Sequence, residues 1–237
     1  MRTSRRGDAK VVIIIVVVVF GVMALICTGL AVAILLPAIG QARIAAQRMQ
    51  SQNNLKQIGL ALHNYHDTFG SFPPAYIPDE NGKPMHSWRV LILPFVEANY
   101  IYDQYDFSQP WDSPANAQAC AMMPFVYDDP ALGTGDMGDR TTYVAISAPN
   151  SVLGTDTAKK LREITVGTSN AIMVIENSSK PVLWYQPDDI SPQELMSQNF
   201  DDQYFGGIQG LMADGSVNFF PEASKQQVQA MTSADGS

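Results

Sequence analysis

The sequence predicts an α+β protein in which one long N-terminal helix, transmembrane and then amphipathic, packs on a mostly antiparallel β-sheet domain. Three observations predict it. Residues 11–36 read VVIIIVVVVFGVMALICTGLAVAILL, 26 positions without a charge. Beyond them, apolar residues recur at helical spacing as far as Phe69. The rest of the chain holds short β-rich runs punctuated by Gly, Pro and Asp, the last two runs flanking Asp214-Gly215.

The uncharged run exceeds the roughly 20 apolar residues that cross a bilayer core, and as a helix at ~1.5 Å per residue it reaches ~39 Å. Its β-branched start is a poor helix former in water, but in lipid the backbone must satisfy itself, and helix is the single-segment solution. Arg2, Arg5, Arg6 and Lys10 precede it against Asp8 alone, while Arg43 and Arg48 follow at a distance. That asymmetry predicts a cytoplasmic N-terminus and an exported C-terminal body. A cleaved signal peptide competes, because Ala31-Val32-Ala33 has the A-x-A form. The run is longer than the usual h-region of about 7–15 residues, which favours a retained anchor.

The first ten of the 237 residues hold four of the 15 basic groups and one of the 23 acidic ones, leaving the rest at a formal charge of −11. An acidic body is unsuited to nucleic acid or to anionic lipid surfaces. Cys27 lies within the apolar run, so it cannot pair with Cys120, the only other cysteine. Stability therefore has to come from packing.

After the apolar run, Pro37 and Gly40 allow a kink where the helix leaves the bilayer. Leu55, Ile58, Leu62, Tyr65 and Phe69 then fall on one helical stripe, predicted to pack on the later strands. Gly70 suits a helix C-cap, and Pro73-Pro74 prevents resumption. One or two short helices are expected over 88–105, broken at Pro94, and another from the Ser113-Pro114 cap through Cys120. Residues 128–140 read as loop. Strands are expected at 142–146, 171–176, 208–213 and 216–220, with Asp214-Gly215 as a type I′ hairpin turn. Ser191-Pro192 with Glu194 opens a short helix, and 226–231 forms a last turn or two. The chain thus divides into a cytoplasmic tail (1–10), a transmembrane helix (11–36), its amphipathic extension (37–69), an exported α+β domain (70–231) and a fraying tail (232–237).

QNNLKQIGLALHNYHDTFGSFPPAY (52–76), SWRVLILPFVEANYIYDQYDFSQPWDSPAN (87–116), GTSNAIMVIENSSKPVLWYQPDDI (167–190) and LMADGSVNFF (211–220) together resemble the planctomycete-type domain-of-unknown-function 1559 family. That family is also catalogued among solute-binding proteins. The long N-terminal helix is similar to that of type IV pilins and the pseudopilins of type II secretion. The resemblance implies a pilin-like architecture and no settled biochemistry. Substrates of the prepilin peptidase carry a glycine followed by Phe-Thr-Leu-x-Glu. Here Gly7 is followed by Asp8-Ala9-Lys10-Val11, with Val12 at the glutamate position, so the resemblance does not extend to processing. Without the glutamate the anchor lacks the charge pair that registers neighbouring subunits, although Gly21, Gly29 and Ala33 can support helix pairing. The family often has a histidine ten positions before Asp214, where this chain has Tyr204.

No catalytic, cofactor or metal residue is predicted. His63 and His66 stand at i, i+3 without a third ligand, and read as exposed or edge-packed. His86 stands alone in sequence. Ser169 lacks a G-x-S-x-G elbow, and Gly133-Thr134-Gly135 lacks the lysine and helix of a phosphate loop. Asp128-Asp129, Asp136, Asp139, Asp188-Asp189 and Asp201-Asp202 read as solvated loop acids; calcium is the ion they would admit, though no D-x-D-x-D-G loop is present. Trp88, Trp111 and Trp184 are candidates for a ligand groove, with core packing as their commoner fate.

Two functions are thereby expected. The first is a single-pass, pilin-like structural protein of the bacterial cytoplasmic membrane with a periplasmic body. Its partners would be the bilayer and pilin-like envelope proteins or further copies of itself, and no nucleic acid. The second is a membrane-tethered module that captures a solute, glycan or peptide.

Overall fold

Long uninterrupted helicity follows from a sequence whose first interior glycine break with positive φ is Gly70. Helix α1 spans Arg5–Phe69 and continues through Pro37 and Gly40. The computed structural model describes residues 5–130, 138–203 and 206–236; Gly133-Thr134-Gly135, Asp136 and Tyr204 lie outside them. The chain divides into two units at Ala46 and Gln47.

In the first unit, Ile13–Leu30 is an 18-residue helical stretch of mean hydropathy 3.0 with none of it buried. The Thr28 hydroxyl donates to the Ala24 carbonyl at 2.8 Å, so the stretch's polar side chain is satisfied within the helix itself.

The second unit begins with the rest of α1. Leu55, Ile58 and Leu62 are fully buried and Tyr65 is half-buried. Phe69, expected on the same stripe, is 62 % exposed. The helix ends there, and Phe72, past the turn, takes the buried place, edge-on to His63. Gly70 closes the helix with its N–H on the His66 carbonyl at 2.7 Å and a φ of +78°, where any other L-residue is penalised. Pro73, three residues further on, is buried.

Strands β1 (Tyr76–Pro78) and β2 (Pro84–Ser87) form an antiparallel pair. Helix α2 (Trp88–Leu91) follows, capped by the Ser87 hydroxyl; a 3-10 turn at Leu93–Phe95 and helix α3 (Asn99–Tyr102) come next. Pro94 sits in that 3-10 turn, separating the two helices as expected. Ser113 caps a 3-10 turn that leads into α4 (Ala117–Cys120). Strand β3 (Arg140–Thr141) pairs with β6 (Val182–Leu183).

The central sheet is antiparallel throughout, in the order β4 (Tyr143–Ala145), β5 (Ile172–Glu176), β7 (Ile208–Met212), β8 (Val217–Phe220). Its two faces are covered by different material. Tyr143, Ala145, Met173, Val174 and Leu211 join the core under α1. Val144, Ile146, Ile175, Ile208 and Met212 join a second core with Leu195 of α5 (Pro192–Ser197) and Val228 of α6 (Lys225–Ala230). A register shift between Ile172 and Val174 explains how Met173 and Val174, consecutive in sequence, both enter the first core. At Gly59 of α1 a Cβ would come within 2.8 Å of Leu211 Cδ1, so a side chain there would require the Leu211 side chain to shift.

Two expectations are corrected. The β7–β8 hairpin is present, but its turn is not type I′. Only Gly215 has positive φ, at +84°, and Gly215 N–H donates to the Met212 carbonyl at 2.9 Å while Met212 N–H reaches Ser216 O at 2.8 Å. This is a three-residue loop with a glycine bulge, and Asp214 serves it by accepting from the Ser216 N–H and hydroxyl. The tail after Met231 is docked rather than frayed over its described residues. Ala234 is fully buried, its N–H donates to Asn150 O, and its carbonyl accepts from Thr165 and Val166. These main-chain bonds hold the tail as an extra edge on the loops, an interaction that side-chain composition does not reveal.

Candidate functional sites

Where α1 first meets the sheet, residues too polar for the apolar stripe form a buried cluster. Ser51 donates to Glu176 Oε2 at 2.5 Å and accepts from the Tyr143 hydroxyl at 3.0 Å. Gln209 donates to the same Glu176 oxygen at 2.7 Å, and Asn54 binds Tyr143 Oη and the Asp128 carbonyl. Asp129, also buried, accepts from the Thr142 hydroxyl. Burial first, and the Asp129 carboxylate second, push the Glu176 carboxyl up to about 8, so at neutral pH it is mainly a neutral acid. Arg48, one turn before Ser51, lays its guanidinium 3.6 Å over the Phe219 ring. The cluster fixes the register of α1 on the sheet.

The segment Ser87-Trp88-Arg89 forms a second buried knot. Arg89 is fully buried and makes an ion pair with Asp189 at 2.7 Å. Its other guanidinium bonds go to Tyr143 O, Ser87 Oγ, Gln186 O and Asp188 O. Asp189 Oδ1 also accepts from Trp88 Nε1 and Ala145 N–H. The knot joins α2, β4 and the 186–189 loop, three segments far apart in sequence.

The three tryptophans separate. Trp88 and Trp184 are fully buried; Trp184 stacks on Tyr127 and donates to the Cys120 carbonyl. Trp111 is half-buried and shares an open groove of about 560 Å³ with Tyr185, Asp112, Ser113, Cys120 and Asp139. The Tyr185 hydroxyl donates to Asp139 Oδ2 at 2.9 Å, and burial, with Asp139, pushes it up to about 12.

His86 is buried, with Nε2 donating to the Phe107 carbonyl and Nδ1 accepting from Tyr105; burial lowers it, which suits this neutral tautomer. His63 packs on Phe72 beside Gly215, and His66 accepts from the Leu161 N–H, so the two serve the helix end rather than one ligand. Ser169 is exposed on the 3-10 turn Thr168–Asn170. Among the described residues no three His, Cys, Asp or Glu side chains converge as a metal-binding group. The acidic pairs divide: Asp129 is buried against Thr142, the Asp189 side chain is buried against Arg89, Asp188 pairs with Lys180, and Asp201 is exposed. Of the structural signature, Leu55, Ile58 and Leu62 are fully buried, Tyr65 packs at the core's edge, Gly70 follows the last residue of α1, Pro73 is buried, and Asp214 and Gly215 lie in the bulged β7–β8 turn. Glu176, Arg89 and Asp189 were not foreseen as a group, since a buried charge and its distant partner leave no periodic trace. Trp next to Arg within an apolar run is the one local signal.

These features define a class: an α+β protein with antiparallel sheets and one N-terminal helix apolar enough to span a membrane. The sequence profile described as "Protein of unknown function (DUF1559)" matches residues 40–204, and the chain belongs to that family. Neither the curated proteins nor the solved structures include a significant match.

Proposed function

We propose that the protein is a single-pass, pilin- or pseudopilin-like structural component of the bacterial cytoplasmic membrane, with its N-terminus cytoplasmic and residues 47–237 displayed outside. The observation that carries this reading is the division of labour along one helix. Ile13–Leu30 is wholly exposed and uncharged, whereas Leu55, Ile58 and Leu62 of the same helix are fully buried in the body. An 18-residue apolar surface of that kind is at home in lipid and is a strong aggregation liability in water. The basic residues before it orient it. No catalytic role is assigned: the buried acids and histidines are engaged in packing. Protease added to intact spheroplasts should digest the body and leave an N-terminally tagged fragment in the membrane. A body that resists until the membrane is opened would overturn the orientation, and release of the full-length chain by alkaline wash would overturn the anchor. A second reading, a tethered binding module, is favoured by the Trp111–Tyr185 groove.

A further inference from the structure

We infer that the groove between Trp111 and Tyr185 is a binding site for an organic cation of the quaternary ammonium or alkylated amine class. The inference deepens the binding-module reading and does not depend on the anchor. It starts from the rings. The Trp111 and Tyr185 centroids lie 5.9 Å apart at 45°, forming an open corner rather than a packed stack. Tyr185 is braced from behind by fully buried Trp184, edge-on at 5.7 Å, and its hydroxyl is tied to Asp139. The Trp111 main-chain N–H donates to the Met85 carbonyl, which fixes the backbone that carries its ring.

Asp112 and Asp139 line the groove, and none of the described residues lining it is a lysine or arginine; Arg140, which acts electrostatically on Tyr185, donates to the Pro181 carbonyl instead. Small residues, Ala117 and Ala121, keep it open. Aromatic faces attract a weakly hydrated cation through their quadrupoles, and two carboxylates add a charge that cannot donate a hydrogen bond while ionised. A volume of about 560 Å³ is in the range of small-molecule sites. A bare metal ion fits poorly, because two carboxylates fall short of the six to eight oxygens that calcium takes. A neutral sugar would gain no charge–charge attraction from the two carboxylates, which favours a cation over it. The acidic body, at a formal −11 beyond the first ten residues, also concentrates cations at its surface.

The test uses the full-length chain in a polyoxyethylene detergent, which carries neither sugar nor cation. Choline is the probe, followed by calorimetry and by tryptophan fluorescence, which reports mainly on Trp111 because Trp88 and Trp184 are fully buried. Saturable binding in the millimolar range is expected, weakened by added salt and weakened about tenfold or more in Trp111→Ala and in Asp112→Asn/Asp139→Asn, equivalent to ~1.4 kcal/mol. Far-ultraviolet circular dichroism and melting of each variant confirm that the fold persists. The neutral carbon isostere of choline, dimethylbutanol, should bind at least about tenfold more weakly. Equal binding of choline and the isostere would overturn the cation assignment. Binding of cellobiose without binding of choline would overturn it too, while leaving the binding-module reading standing. Binding of none of the three would remove both.

Discussion

Glu176→Gln should remove most of the pH dependence of folding between about pH 5 and pH 8. In the folded protein the Glu176 carboxyl is buried between α1 and the sheet, faces Asp129, and titrates near 8 instead of its ordinary 4.5. The folded state therefore binds a proton that the unfolded state has released. Its stability is complete below pH ~4.5, falls as pH rises through the window, and levels off above pH ~8. A displacement of ~3.5 units at ~1.36 kcal/mol per unit sets an upper limit of ~5 kcal/mol. Water entry and relaxation of Arg48 on ionisation bring the expected loss to about 2–4 kcal/mol. Glutamine keeps an acceptor for Gln209 and Ser51 and cannot ionise. The assay is urea unfolding of wild type and variant at pH 5, 6, 7 and 8, reading the difference in stability at each pH. His86, lowered by its burial, contributes equally to both proteins and cancels in that difference. Wild type and variant should diverge steadily with pH, the variant becoming relatively more stable. Parallel curves would refute the assignment of Glu176 as the proton-binding group.

Leu62→Ala should cost ~2–5 kcal/mol, since the side chain is fully buried beneath the sheet; an unchanged melting temperature would contradict that packing. Gly215→Val should lose about 1–3 kcal/mol because φ is +84°, and wild-type urea midpoints would contradict the bulged turn. Arg89→Met leaves Asp189 buried without its cation and should cost ~3–5 kcal/mol, with much of it recovered in Arg89→Met/Asp189→Leu; a double variant no better than the single one would argue against the ion pair as the cause. Mass spectrometry of membrane-extracted protein should find the N-terminus uncut after Gly7, whereas a methylated Asp8 end would place the chain among processed prepilins.

Much of the fold is legible where a single local rule governs it. The apolar stretch needs only its own composition to prefer lipid, and the stripe at Leu55, Ile58 and Leu62 needs only the 3.6-residue period to be recognised as a buried face. Proline and serine pairs marked the caps at Ser113 and Ser191 because a cap is completed within four residues. Phe69 obeyed the period and still lies outside the core, because periodicity does not say how far the cover extends. Asp214-Gly215 announced a turn, while the turn type depended on the register of β7 against β8.

The sequence by itself thus determined an uncharged membrane-length helix, its amphipathic continuation and the short antiparallel strands. All of these rest on interactions between residues close in the chain or between residues and solvent. Tertiary structure alone decided the rest. It brought Glu176 beneath Ser51, joined Arg89 to Asp189 across 100 positions, docked Ala234 on Asn150, and left Trp111 at an open corner while burying Trp88 and Trp184. Each of those outcomes depends on which distant group arrives to satisfy a charge, a backbone donor or a ring face.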